Sequence, residues 1–325
     1  MIEPLYREHA STIRALAYRM TGSAADAEEI LQETFTRALA TPPDGGPDRN
    51  WLLAVAANLS RDRLRRRKRA AYLGPWLPSA VEAEADTADP EARYGLRESA
   101  SFAFLLALEP LTSRQRAVLL LRDVFDLTVS ETAEVLRMRE GAVRVMHHRA
   151  RTRVEGYDEH RARPTPERLA LVRGALEQLA AAVSTGDPAK VEAVLAEQVT
   201  LHADGGGRFG AVRQILRGAR TLARFAIFGQ QRLAAVPGHQ SLWSNVNGAP
   251  AIVVDARPPP GSDVAPRLVL ACDVDDSGRI TRLYAIASPE KLTHLPASEG
   301  LGLHEVHHQS GDRGDPPRQS PRPGA

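Results

Sequence analysis

The chain has 325 residues, enough for two or three small domains. Its 42 Lys and Arg residues nearly balance its 40 Asp and Glu residues, so the net charge is only +2, and any nucleic-acid surface must come from local clustering of cations. A single cysteine, Cys272, excludes an intrachain disulfide, and the lack of a leader peptide or a bilayer-length apolar run indicates a cytoplasmic protein that does not bind membranes.

The first informative element is a predicted helix that begins after Ser23, a residue type that caps helix starts. Its sequence is DAEEILQETFTRAL, in which Ile30 and Phe35 belong to an apolar stripe at helical spacing. The opposite face is polar and mostly acidic: Asp26, Glu29, Gln32, Glu33 and Arg37. Taken alone, such a face is more typical of a solvated helix surface than of a binding site.

A loop and a basic helix are predicted next. Residues 41–49, TPPDGGPDR, are too rich in Pro and Gly for a helix or a strand. The following segment is NWLLAVAANLSRDRLRRRKRAAYLG, which begins apolar at Trp51 and ends in a run of cations from Arg61 to Arg69. A helix that starts in a core and ends as a cationic rod suits contact with a nucleic-acid backbone.

Residues 74–97 are rich in Pro, Ala and acidic residues, so they are predicted to form a linker between two basic modules. Trp76-Leu77-Pro78 is the exception within it. A Trp-Leu pair between prolines is a poor solvent-exposed spacer, because it would leave a large apolar surface in water. We therefore expect these three residues to pack on another domain.

Two further helix starts carry the pattern of a capping box, in which two side chains satisfy free backbone N–H groups. Thr112 and Gln115 begin a helix from Ser113 to about Asp123, and Thr128 and Glu131 begin another near Val129. A third helix, from Glu140 onward, has Ala142, Val143, Met146 and Ala150 at helical spacing toward a core. Together they outline a helix-turn-helix.

The last of these helices and the turn before it are unusually cationic. The candidate DNA-facing residues are Arg137, Arg139, Glu140, Arg144, His147, His148 and Arg151. A helix with alternating charge can also be no more than a solvated face. In addition, Arg137 and Arg139 stand in a turn where glycine is common, so we expect a strained turn or added phosphate contacts.

The second half of the chain predicts an α+β layer fold. A long amphipathic helix, PERLALVRGALEQLAAAVSTGD, and a shorter one, KVEAVLAEQV, precede short strand-like runs. The runs lie around residues 199–203, 242–246, 251–256, 268–274 and 280–285 and suggest an antiparallel meander. From residue 296 the composition indicates a disordered tail. Its His304, His307 and His308 lack a carboxylate or thiol partner, so no metal site is proposed.

In this order, the acidic helix, the basic helix and the helix-turn-helix resemble regions two and four of an extracytoplasmic-function sigma factor. The likeness covers residues 1–158. It implies a region two over residues 1–73, the linker over 74–97, a region four over 98–160, a C-terminal domain over 166–295 and the tail over 296–325.

The resemblance also implies roles for individual residues. It assigns contact with core RNA polymerase to Asp26, Glu29, Gln32, Glu33 and Phe35, with Phe35 alternatively a core residue. The loop of residues 41–49 and the helix after it would hold a flipped base of the −10 element, through Asn58, Arg61, Asp62, Arg65 and Arg66. The cationic helix-turn-helix residues would read the −35 element.

The C-terminal half resembles a cone-shaped SnoaL-like domain, and one subgroup of these sigma factors carries such a domain together with three marker motifs. Here they read Trp76-Leu77-Pro78, Asp204-Gly205-Gly206-Gly207-Arg208 and Ser288-Pro289-Glu290-Lys291-Leu292. The chain departs from the usual pattern at Ser79 and Ala80, where Glu-Pro is common. The resemblance implies interdomain docking through the three motifs. From the residues alone, the glycines form either an anion-binding turn or a plain loop.

The leading interpretation is therefore a promoter-recognition subunit without catalytic residues or cofactor. It binds core RNA polymerase and promoter DNA and is modulated in cis by its C-terminal domain, which has room for a small-molecule ligand. The alternative is a ligand-responsive DNA-binding regulator or a bifunctional enzyme with a catalytic C-terminal pocket, where His202 and Asp204 are the acid-base candidates. Only the first interpretation predicts stoichiometric association with core polymerase.

Overall fold

The computed structural model describes residues 2–67, 75–82, 100–158, 164–209 and 214–295. The predicted tail with its three histidines and most of the predicted linker lie outside these ranges. The N-terminal half is helical, with α1 (Ile2–Thr21), α2 (Ala24–Ala40), α3 (Arg49–Arg67), α4 (Phe102–Ala107), α5 (Ser113–Asp123), α6 (Val129–Leu136) and α7 (Glu140–Asp158). No helix within the described ranges is long and apolar enough to cross a membrane.

The predicted helix starts are confirmed. The Ser23 hydroxyl accepts a hydrogen bond from the Asp26 N–H at 3.1 Å and caps α2. Full capping boxes begin α5 and α6. The hydroxyls of Thr112 and Thr128 accept from the backbone N–H three residues later, and the backbone N–H of each Thr donates in return to the side chain of Gln115 or Glu131. These bonds are local in sequence, which is why the sequence reveals them.

The two helical modules predicted from the sequence share one hydrophobic core. Buried side chains from both belong to it, among them Ile13, Leu31, Leu53, Leu120 and Val143. Val143 and Ala150 of α7 lie in this core as expected, whereas the expectation for Ala142 is wrong, because that residue is exposed.

A buried arginine joins the two helical modules. Arg116 of α5 is only 3% exposed. Its guanidinium donates to the Met20 carbonyl of α1 at 2.8 Å and pairs with Glu109 at 2.9 Å. Arg67, at the end of α3, donates to the same Glu109 at 3.1 Å. A buried charge is tolerated when it is paired and hydrogen-bonded. Both terminal nitrogens of Arg116 meet this condition, although its Nε has no partner within the described residues, so the contact between the modules is specific.

The C-terminal half contains α8 (Pro166–Ser184), α9 (Pro188–Ala193) and α10 (Ala219–Ala234), six strands and a short 3-10 helix at Pro289–Lys291. The strands are β1 (Leu195–Asp204), β2 (Leu216–Arg217), β3 (Gln240–Val246), β4 (Ala249–Asp255), β5 (Arg267–Val274) and β6 (Ile280–Ile286), in the order β2-β1-β6-β5-β4-β3. The five predicted strand-like runs coincide with five of these strands. Strands β3 to β6 form the predicted antiparallel meander. The first run is the exception, because β1 pairs in parallel with β6. Strand β2 and helix α10 were not expected.

The two faces of this sheet have different neighbours. Leu201 and Ala203 of β1 face the core that α8 and α10 cover. Tyr284 and Ile286 of β6 belong to a second cluster, which contains Leu77 before α4 and Phe102 of α4. Since side chains alternate along a strand, one sheet contributes both to the interior of its own domain and to the contact with the helical half.

Candidate nucleic-acid interface

Helix α2 carries the predicted polymerase-binding face. Glu29, Gln32 and Glu33 are exposed and Asp26 is half-buried. Arg63 of α3 pairs with Glu29 and lies 3.7 Å from Asp26. The remaining candidate, Phe35, is only 5% exposed, and its ring packs edge-on against that of Tyr6 at 4.8 Å between centroids. The polar candidates therefore form one surface, and Phe35 supports it from the core.

The end of α3 presents the predicted −10 residues. Asn58, Asp62, Arg65 and Arg66 are exposed, whereas Arg61 is half-buried. Arg65 pairs with Asp62 at 2.6 Å, and Arg61 donates to the Asn58 side chain at 3.1 Å. Burial, together with the nearby charge of Arg114, lowers the pKa of Arg61. Pairs this exposed contribute little to stability, so these side chains can exchange their partners for phosphates.

The turn between α6 and α7 is closed by an arginine in the left-handed region. Arg137 has φ of +51° and its N–H donates to the Glu134 carbonyl at 3.1 Å, while the Met138 N–H donates to the Ala133 carbonyl at 2.8 Å. An L residue adopts this conformation at a cost, as the sequence predicted. Arg137 and Arg139 are both exposed beside the start of α7.

Not all of the predicted −35 side chains of α7 point away from the protein. The His147 imidazole lies 2.7 Å from Asp123 of α5, and Arg151 donates to the other oxygen of the same carboxylate at 3.0 Å. Arg144 pairs with Glu140 one turn earlier at 2.8 Å. The predicted −35 residues thus divide into two groups. His147 and Arg151 are turned toward α5, and the others are at the surface: Arg137, Arg139, Glu140, Arg144 and His148. Arg149 is also exposed and was not predicted.

The three docking motifs meet at one place. Asp204, only 1% exposed, accepts from the Leu77 N–H at 2.8 Å and from the Lys291 ammonium at 2.5 Å. Lys291 also donates to the Leu77 carbonyl at 2.6 Å. Burial lowers the pKa of Lys291 to about 8, and the nearby Asp204 carboxylate opposes that shift. One buried ion pair therefore links the linker motif to both C-terminal motifs.

Trp76 lies at the junction between the halves. Its ring is flanked by the Arg67 guanidinium at 4.0 Å and the Lys291 ammonium at 4.6 Å, which are cation-π distances. A Cβ on Gly22, where φ is +66°, would lie 2.3 Å from the Trp76 ring. Only glycine fits there, so the α1–α2 turn is shaped to receive this ring.

The remaining motif residues are arranged around this pair. Leu77 and Pro78 are buried, and Leu292 belongs to the cluster on the outer face of the sheet. The Gly206 N–H donates to Asp204 at 3.0 Å, whereas Gly207 is exposed and Arg208 pairs with Glu290 at 3.2 Å. Gly205 is buried and Pro289 begins the 3-10 helix.

Ser79 replaces the acid that is usual after the linker motif, and its contacts are specific. Its hydroxyl accepts from the Ala24 N–H at 3.2 Å, at the start of α2. Its N–H donates to the Gly22 carbonyl at 2.8 Å, and its carbonyl accepts from the Tyr18 hydroxyl at 2.7 Å. The linker is therefore held to the helical half as well as to the sheet.

Sequence reasoning missed Asn247, which connects three segments. Its side-chain amide donates to the Tyr18 hydroxyl at 2.7 Å and to the Ala100 carbonyl at 2.8 Å. Its side-chain oxygen accepts from the Val81 N–H at 3.1 Å. The only signal was the Asn-Gly pair between two strand-like runs, which is typical of a hairpin turn. Asn247 has φ of +53°, as such a turn requires.

The C-terminal domain contains an apolar cavity of about 270 Å³ that is partly open to solvent. Its walls are mostly hydrocarbon from α8, α10 and the inner face of the sheet, and its polar lining residues are Gln230, Arg232, Ser241 and Asp263. Arg232 and Asp263 pair with each other. His202 and Asp204 are not among the lining residues. Side chains alternate along β1, and these two lie on the face away from the cavity. The acid-base pair suggested for the cavity is therefore wrong.

Comparisons with known proteins agree with this geometry. Residues 5–70 match the family model for sigma-70 region 2, and residues 101–154 match that for sigma-70 region 4. The chain is 33% identical over 306 residues to the ECF RNA polymerase sigma factor SigJ of Mycobacterium tuberculosis H37Rv, covering 90% of this chain and 93% of that protein. The probable ECF RNA polymerase sigma factor SigI of the same strain is 27% identical, covering 93% and 98%. The crystal structure of SigJ superposes with a TM-score of 0.69 at 31% identity, covering 91% and 99%.

Proposed function

The chain belongs to the extracytoplasmic-function sigma factors of the sigma-70 family, and from that premise we propose how its surfaces are used. It is an RNA polymerase sigma factor, with a SnoaL-like C-terminal domain. We propose that the polar face of α2 binds core polymerase, that the residues 41–49 loop and the end of α3 hold −10 DNA, and that α7 reads the −35 element. This function places the protein with polymerase in the cytoplasm.

The observation that carries the regulatory part of the proposal is the closed arrangement of the two helical modules. Arg116 of α5 donates a hydrogen bond to α1. The linker segment is bound on both sides: Leu77 donates to Asp204 of the C-terminal domain, and Ser79 accepts hydrogen bonds from α1 and α2. Promoter elements lie far apart along the duplex, so modules that share a core cannot span both. We propose that this arrangement is the resting state and that the C-terminal domain stabilises it in cis.

The lining of the cavity suits the binding of a ligand better than the catalysis of a reaction. Its polar lining residues are few, and two of them, Arg232 and Asp263, pair with each other. We propose that it takes a small, mostly apolar molecule and that the protein is not an enzyme. Leu201 and Ala203 line the cavity, while His202 and Asp204 of the same strand face the helical half. A ligand that displaces β1 therefore changes the contact that holds the linker.

The alternative of a DNA-binding repressor or bifunctional enzyme predicts no stable complex with polymerase. Copurification with core polymerase separates the two, since only a sigma factor forms a stoichiometric complex. The acidic face of α2 offers a matched test: Glu29→Lys with Glu33→Lys should abolish the complex. The pair Glu167→Lys with Glu177→Lys on α8 applies the same charge change elsewhere and should leave the complex intact.

Run-off transcription with core enzyme and the region upstream of the protein's own gene tests the function as a whole. We expect promoter-dependent transcripts from the full chain. Ending the chain after Pro164 should change output strongly, whereas ending it after Leu295 should change it less, because the second cut spares the folded domain. Trp76→Ala should shift output in the same direction as the first cut. Identical output from all four proteins would contradict a regulatory role for the C-terminal domain.

A further inference from the structure

Helix α7 presents an apolar side chain at the centre of its outer surface. Val145 is 50% exposed, although the fully buried Val143 precedes it by only two residues. Each residue of an α-helix advances by about 100°, so these two side chains point roughly 200° apart. Gly141, His148 and Thr152 recur at helical spacing with Val145 and are all exposed. These four residues form one stripe opposite the core, which we call the outer stripe.

The outer stripe differs from the surface that the sequence predicted. His147 and Arg151 bind Asp123 of α5 and lie on the side of α7 toward that helix. The residues farthest from the core therefore include a valine and a glycine, rather than His147 and Arg151. Gly141 adds no side chain, and a Cβ placed there meets nothing within 4 Å. The helix can thus approach a partner closely at its first turn.

The surroundings of Val145 indicate what kind of partner it meets. The exposed cations Arg144 and Arg149 flank the stripe, and Arg137 and Arg139 precede its first turn. Arg144 already pairs with Glu140 on its own helix, but an apolar protein surface would supply no counter-charge to the other cations. A DNA major groove supplies phosphates on both sides, and the one apolar group on its floor is the C5-methyl of thymine.

We propose that Val145 is a specificity-determining residue that packs on the methyl group of a thymine in the −35 element. The inference rests on the proposed function of α7. His148, three residues later on the same stripe, can donate or accept a hydrogen bond at an adjacent base edge. The arginines beside the stripe bind phosphates and fix its depth in the groove.

Replacing thymine by uracil removes only this methyl group and tests the contact directly. Holoenzyme is assembled from the full chain and core polymerase. Its affinity is measured for DNA duplexes that carry the sequence upstream of the protein's own gene. Each thymine of the protected −35 segment is replaced singly by uracil. We expect wild-type holoenzyme to lose about fourfold in affinity at one position, the change that burial of one methyl group corresponds to. Val145→Ala holoenzyme should bind both duplexes equally.

A matched control is Leu39→Ala, which truncates another exposed apolar side chain, on α2 at 64% exposure. It should keep the uracil sensitivity of the wild type. Val145→Ala is a surface change on a helix, and its melting temperature should equal that of the wild type. The proposal is overturned if no thymine of the −35 segment is sensitive, or if Val145→Ala keeps the sensitivity, as it would were Val145 a protein-docking residue. Failure of wild-type holoenzyme to bind the region at all would instead contradict the proposed function.

Discussion

The side-chain amide of Asn247 donates a 2.7 Å hydrogen bond to the hydroxyl of Tyr18, although 229 residues separate them in the chain. The same Tyr18 hydroxyl donates a second hydrogen bond, to the Ser79 carbonyl of the linker, at 2.7 Å. Both side chains are almost fully buried. These two buried hydrogen bonds therefore join three parts of the protein: a hairpin turn of the C-terminal domain, the first helix and the linker.

Removing the hydroxyl of Tyr18 should weaken this connection. Tyr18→Phe leaves the Asn247 amide and the Ser79 carbonyl each short of a partner in a buried site. We expect a loss of about 1–3 kcal/mol in the free energy of unfolding, measured by urea denaturation, together with altered promoter output. Tyr6→Phe, on the same helix but with a 39% exposed side chain, should have little effect. Equal stability of the two variants would show that the buried chain contributes nothing.

The Asp204–Lys291 pair should behave as one unit. Asp204→Asn or Lys291→Met alone leaves a buried charge without its partner, and each should cost about 3–5 kcal/mol of unfolding free energy. The double variant should cost clearly less than the sum, because neither charge then remains. Chemical denaturation of the four proteins at pH 7 measures the coupling. Additive losses would mean that the two side chains act independently.

His202 should make stability depend on pH. Burial, and then the charges of Arg282 and Arg217, lower its pKa from 6.5 to about 4. The unfolded chain therefore takes up a proton first as the pH falls, so folding is progressively disfavoured between pH 6.5 and pH 4. We expect a loss of about 1–2 kcal/mol from this residue over that window, less than the full shift because the side chain is partly exposed.

His202→Gln supplies the control for this pH effect, since glutamine does not titrate. The difference in unfolding free energy between wild type and variant should be constant above pH 6.5 and should move in favour of the variant toward pH 4. Denaturation curves at half-unit steps measure it. A difference that stays constant across the whole range would refute the assignment to His202.

The basic end of α3 should contribute to the salt dependence of the affinity for promoter DNA. Replacing Arg65 and Arg66 with Ala should lower the slope of log affinity against log salt by about one to two units, because each lost phosphate contact contributes about 0.9. Arg173→Ala with Arg220→Ala removes the same charge from the C-terminal domain and should leave the slope unchanged. If both pairs lower it alike, the effect is one of net charge, and α3 has no special contact with DNA.

Much of the architecture could be predicted because its causes are local. The side chains of Ser23, Thr112 and Thr128 satisfy N–H groups three residues away, so their helices are visible in the sequence. The strand-like runs were found because alternation and turn residues are also short-range patterns. The order of the helical motifs was enough to indicate the family.

The tertiary structure decided what these elements face. Alternation places His202 and Asp204 on one side of β1, but only the neighbouring elements make that side the domain contact rather than the cavity. Asp123 lies 24 residues before His147, and their contact turns a predicted DNA-facing residue toward α5. Periodicity fixes which side chains share a surface. What covers that surface depends on contacts between residues far apart in the chain, such as Asn247 with Tyr18. Local sequence patterns cannot predict such contacts.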